Sequence, residues 1–182
     1  MGLLGDTGAT LRDTMKAMAK YGVPREFAWQ YKTHGIDDEP SLAAYDLAEK
    51  HQALVYYRLD PYGQPASQTV TQTLRFLNAG FPFMLGFAVL SSIPQIGDGR
   101  CDVPFFQSGD KILGYHAVMI NGYDDNRVIG PHQGAYLFSN SWGTDWGDQG
   151  YGWLPYQYVA QGMACDIWSM VLAETPKGAQ AT

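Results

Sequence analysis

Before Phe81 the apolar positions recur at helical spacing, and beyond it they alternate or cluster in short runs. Leu11, Met15 and Met18 fall on one helical face behind Thr10 and Asp13, which have the spacing of a capping box, and Gly22 and Pro24 end the run. The pattern predicts a helix over about residues 10–21. In "GIDDEPSLAAYDLAEKHQ" a polar loop, with Asp37, Asp38 and Glu39 in solvent, leads into a short helix from Ser41. "ALVYYRLD" has the β-branched and aromatic content of a strand. In "SQTVTQTLRFLNAG", Val70, Leu74 and Leu77 predict a third helix, with Ser67 and Thr69 as caps and Asn78 and Gly80 at its exit.

The segments "FPFMLGFAVL", "YHAVMINGY", "AYLFSN", "GYGWLP" and "DIWSMVLA" read as strands separated by Gly, Asp and Asn turns. Between the first two, Ser91 to Gly114 carries Pro94, Gly97, Gly99, Pro104 and Gly109 and is expected to be a surface excursion. No internal repeat or low-complexity tract interrupts the chain, and "TPKGAQAT" reads as a frayed tail. The expected architecture is α+β, a helical N-terminal part packed on an antiparallel β part.

Composition narrows the classes of function. With 182 residues, 46% of them hydrophobic and 14% aromatic, the chain has enough apolar content for one core-bearing domain or two small lobes. Twelve Lys and Arg against eighteen Asp and Glu give a formal charge of -6, with no basic cluster to neutralise phosphates, so no nucleic-acid partner is expected. No apolar run approaches the roughly 20 residues of a membrane span, no signal peptide opens the chain, and Asp6 stands where a myristoylation signal wants Ser or Thr. No membrane partner is expected, and localisation stays open. Cys101 and Cys165 could form one disulfide or remain two free thiols; they lack the paired spacing of a zinc site, and neither a metal nor another cofactor is expected.

Two residues suggest chemistry. His116 lies in a predicted strand with Val118 and Ile120 on its own side, and Asn140 ends the next strand ahead of a Gly/Trp-rich segment. Alone, the histidine reads as structural and the asparagine as turn chemistry. Together they meet a known need: an imidazole that moves protons must be held in one tautomer, and an amide oxygen on its other nitrogen does this. An uncharged orienter suits a thiolate nucleophile, because a thiol ionises easily and can rest as a thiolate–imidazolium pair.

"YHAVMINGYD" followed by "SNSWGTDWGDQGYGWLP" resembles the histidine and asparagine boxes of papain-family cysteine peptidases, HAV-x-x-x-GY and NSWG-x-x-WG-x-x-GY. Upstream, "GDTGATLRDTMKAMAKYGVPREFAWQY" resembles the family's helix and the segment after it, in the form bacterial members have. The resemblance runs from about Gly5 to Leu172. It implies a two-lobed papain-like fold, with residues 1–54 as the remainder of the helical lobe, 55–175 as a β-rich, barrel-like lobe and 176–182 as tail. It implies that His116 is general base and acid, that Asn140 orients it and that Trp142 shields their hydrogen bond from water; Trp146 and Trp153 read better as core. Gly8 and Ala9 match the family's paired glycines, whose backbone pairs with extended substrate, Ala9 departing from glycine. Leu11, Gly86, Ala117 and Met170 fall near positions lining the pocket for the second substrate side chain. They suit an apolar side chain, and core packing explains each equally well.

The family's nucleophile sits in a QGxCGSCW-like segment opening a long helix, and the chain contains no such segment; the glutamine of the oxyanion hole is missing with it. Neither Cys101 nor Cys165 opens a predicted helix that could lower its pKa, and neither is assigned as nucleophile. The resemblance thus implies a cysteine-type peptidase acting on peptide or protein substrates, here without its catalytic cysteine and inactive as given. The sequence is then an N-terminal truncation, a piece that works with an upstream segment or second chain carrying the cysteine, or an inactive homologue that binds peptides. The intact His116, Asn140 and Trp142 favour the first. A carbohydrate-binding β module could use the five Trp and twelve Tyr, and the ordered boxes argue against it.

Overall fold

A computed structural model describes residues 8–31, 35, 37–93 and 99–172. Asp6, Pro94, Gly97 and the tail lie outside the described residues. The chain forms two compact units, Met1–Tyr56 with Met170–Thr182, and Tyr57–Ser169.

In the first unit, α1 spans Leu11–Tyr21. The Thr10 hydroxyl accepts from the Asp13 backbone N–H at 3.1 Å, satisfying one of the orphan donors at the helix start. Met15 is the fully buried residue of its apolar face. α2, Leu42–Ala48, is capped by the Ser41 hydroxyl on the Ala44 N–H and buries Ala44 and Ala48.

Six strands form one sheet in the order β1-β6-β2-β3-β4-β5: β1 Ala53–Arg58, β2 Phe83–Leu90, β3 Ile112–Ile129, β4 His132–Ser139, β5 Tyr151–Pro155 and β6 Ala164–Leu172. β2 pairs antiparallel with β3 and β6, and β4 antiparallel with β3 and β5. The helices and the antiparallel sheet make the chain α+β. Its core lies in the second unit, where Phe83, Leu85, Phe87, Ile120, Tyr136, Phe138, Trp146, Leu154 and Tyr158 are buried against one another.

Two expectations from the sequence are corrected. α3 spans Ala66–Asn78 behind Pro65 with no side-chain cap, so Ser67 and Thr69 lie inside the helix. Proline sets the entry geometry that the caps were expected to set. Its most buried positions are Thr69 and Thr73, with Val70, Leu74 and Leu77 only partly buried beside them. Thr73 is admitted to the core because its hydroxyl is satisfied, donating to the Val70 carbonyl and lying 2.7 Å from the Tyr136 hydroxyl.

The excursion after β2 is not confined to the surface. Val103 is fully buried, its N–H donates to the Trp153 carbonyl at 2.8 Å, and the Trp153 N–H donates back to Cys101 at 2.7 Å. The Tyr158 hydroxyl donates to the Pro104 carbonyl. Asp102 forms an isolated parallel bridge with Trp153 of β5.

Candidate active site

Register places the candidate residues. His116 on β3 faces Phe87 on β2, which faces Ala164 on β6; the neighbouring row is Ala117, Gly86 and Cys165. Directly opposed residues share a face of the sheet and successive residues alternate. His116 therefore projects to the side of Phe87, Val118 and Ile120, all buried. Ala117, Gly86 and Cys165 project to the other.

Asn140 follows β4 directly, and β4 pairs with β3 up to Ser139 opposite Met119. Its N–H donates to the Gly150 carbonyl at 2.8 Å, fixing the start of the Gly-rich loop. There the Asn140 Oδ1 lies 2.8 Å from His116 Nε2. Among the described residues His116 Nδ1 has no hydrogen-bond partner.

Trp142 stacks on the imidazole, with centroids 4.8 Å apart and planes 22° from parallel. Phe87 meets the same ring at 6.0 Å and 66°. Trp146, buried, stands edge-on to Trp142 at 5.5 Å and packs on Phe138. Two glycines make this arrangement possible. Gly147 has φ 58°, and a Cβ there would lie 2.4 Å from the Tyr151 carbonyl oxygen; at Gly152 a Cβ would lie 2.6 Å from the Trp146 ring and 2.7 Å from Phe138.

The cysteines are both free. Cys165 is on the face of the sheet away from His116. Burial pushes its thiol above the ordinary value of 9.0, and the nearby Asp60 and Asp166 carboxylates add to this against the opposing pull of Arg58. Cys101 is tied through its carbonyl to Trp153, and the Arg127 guanidinium beside it is engaged by Asp102 at 2.7 Å and lies over the Trp153 ring at 4.4 Å. Arg127 belongs to the C-terminal part of β3, within the register irregularity between Asp124 and Val128. Cys165 thus lacks the setting of an activated nucleophile, and Cys101, whose Sγ accepts from Arg127 Nη2 at 3.6 Å, sits in the Arg127–Asp102–Trp153 cluster and not in the one formed by His116, Asn140 and Trp142.

The structure thus brings His116, Asn140 and Trp142 into one cluster and sets Gly86 beside Ala117 on the opposite face. Gly8, Ala9 and Leu11, at the start of α1, and Met170, on β6, belong to the first unit. Two groups at the cluster escaped the sequence. Phe87 was visible only as one member of an apolar run. The Ser141 backbone N–H, which donates to Asn140 Oδ1 at 2.8 Å, has no side-chain signature at all. Among the described residues no group of three or more His, Cys, Asp or Glu could hold a metal ion, and no helix is long and apolar enough to cross a membrane.

The family model of papain family cysteine proteases matches residues 5–175, and the chain belongs to this family. An uncharacterized peptidase C1-like protein of Acanthamoeba polyphaga mimivirus is 32% identical over 168 residues, covering 90% of this chain and 51% of that protein. Peptidase 1 of Psoroptes ovis is 28% identical over 153 residues, covering 82% and 42%. Among solved structures, xylellain, a cysteine protease from Xylella fastidiosa, superposes with a TM-score of 0.76 at 28% identity, covering 93% of this chain and 63% of xylellain. The fold is papain-like, and the chain spans about half the length of the curated relatives it matches.

Proposed function

We propose that this chain carries the proton-shuttling part of a cysteine-type peptidase, with the nucleophilic cysteine supplied by an upstream segment or a second chain. The observation that carries this reading is the 2.8 Å contact of His116 Nε2 with Asn140 Oδ1, which leaves Nδ1 open. In acylation, a thiolate adds to the scissile carbonyl carbon. As the C–N bond breaks, the proton on Nδ1 passes to the leaving amine. In deacylation, Nδ1 takes a proton from water while the water oxygen adds to the thioester carbon, and the departing sulfur leaves as thiolate, restoring the ion pair. Asn140 keeps the ring in the orientation both steps need, and Trp142 screens that hydrogen bond.

On this reading the chain without such a cysteine does not hydrolyse peptides. Gly8 and Ala9 pair with the backbone of extended substrate, and Leu11 and Met170 in the first unit and Gly86 and Ala117 in the second are each small or apolar, which suits an apolar substrate side chain. The alternative is an inactive homologue that binds peptides, and the intact grouping of His116, Asn140 and Trp142 favours the enzyme. The test is a peptidyl electrophile applied to the chain with the nucleophile-bearing segment supplied. Mass spectrometry should find one label, on the supplied cysteine. Labelling of Cys101 or Cys165 instead, or none, would overturn the proposal.

A further inference from the structure

We infer that the backbone N–H of Ser141 sets the tautomer of His116. The Asn140 amide has two orientations related by a flip, and its two ends demand opposite things of the imidazole: the oxygen needs a protonated Nε2, the NH₂ needs a lone pair there. Ser141 decides between them. Its N–H can only donate, and it points at the terminal atom of Asn140 2.8 Å away, so that atom must be oxygen. The same oxygen faces His116 Nε2 at 2.8 Å, so Nε2 carries the hydrogen and, in the neutral ring, Nδ1 holds the lone pair. Nothing holds the amide from its other end. Asn140 Nδ2 is buried and has no hydrogen-bond partner among the described residues. The arrangement leaves a buried donor unsatisfied, and it is retained because the flipped amide would set an NH₂ against the Ser141 N–H.

Ser141 is therefore a positioning residue that acts through its main chain, and its hydroxyl is dispensable. The inference rests on the reading of His116 as proton shuttle for its meaning in catalysis. Its test needs no activity and uses this chain as it stands. Long-range proton–nitrogen correlation spectra of the histidine rings report which nitrogen is protonated. The parent and Ser141→Ala, which keeps the N–H, should both show the Nε2–H tautomer. Replacing the Asn140–Ser141 amide by an ester through semisynthesis removes the N–H alone, and Ser141→Pro removes it genetically. Both should shift the population toward Nδ1–H by roughly five-fold or more, the Boltzmann weight of one ordinary hydrogen bond. A denaturant melt on each variant identifies any that fails to fold, and the ester, which keeps the side chain, then carries the test. A Nδ1–H ring in the parent, an ester form with the parent's ratio, or a changed ratio in Ser141→Ala would overturn the inference. Failure of the peptidase proposal would appear elsewhere, as absent labelling with these spectra unchanged.

Discussion

Removing the His116 imidazole takes away the only group in the cluster that can carry a proton between thiol, amine and water. In a nucleophile-bearing form, His116→Ala should lower kcat/KM by about 10²–10⁴-fold, the usual range for general acid–base catalysis. Asn140→Ala should cost less, because the ring can still sample the productive orientation, and Trp142→Ala should act in the same direction by admitting water to the hydrogen bond it covers. Cys101→Ser and Cys165→Ser should each leave turnover near the parent level. For Cys165 the chemistry can be read directly. Its raised pKa favours the neutral thiol, so alkylation of Cys165 in a Cys101→Ser background should be slow at neutral pH and accelerate only above the ordinary thiol value of 9.0. The sign for stability follows: this contribution is fully present below that value and is lost as pH rises through the elevated one. Rapid alkylation at pH 7 would contradict this. The motif residues were legible because the boxes tie His116 and Asn140 to fixed spacings. Ser141's part was not, because any residue but proline supplies a backbone N–H.

Elements show a similar division. Strands and helices declared themselves through period and turn residues, and β2 and β4 to β6 fall where apolar runs and alternation put them, whereas β3 runs on through Asp124, Asp125 and Asn126, expected as a turn, to Ile129. The interior of α3 did not, because hydropathy ranks threonine as surface, whereas Thr73 is buried through its two hydrogen-bonding contacts. Thr73→Val should therefore destabilise the fold by about 1–3 kcal/mol, the cost of stranding the Tyr136 hydroxyl in the core. Adding Tyr136→Phe to Thr73→Val should recover part of that loss, and a double-mutant cycle from denaturant melts measures the coupling. Additive losses would show that the contact carries no energy. In the Gly-rich loop, Gly152→Ala presses a methyl into Trp146 and Phe138 and should cost about 1–3 kcal/mol by overpacking. Val103 escaped the sequence for a related reason: Gly and Pro mark turns, and they say nothing about a short bridge held between them.

For the whole molecule, family membership fixes the fold and the order of the boxes, and the chain spans about half the length of the curated relatives it matches. The proposal of a nucleophile supplied elsewhere draws on the placement of the two cysteines. Cys165 lies on the wrong face of the sheet, and Cys101 sits in the Arg127–Asp102–Trp153 cluster beside the C-terminal end of β3. The central claim is that His116 shuttles protons through Nδ1 for a thiolate supplied elsewhere. Its most direct test is kcat/KM on an unstructured peptide, measured beside a denaturant melt, for the chain with the nucleophile-bearing segment supplied and for its His116→Ala variant. The account predicts hydrolysis by the parent and its near-complete loss in the variant at unchanged stability; a His116→Ala protein that folds normally and still cleaves would contradict it.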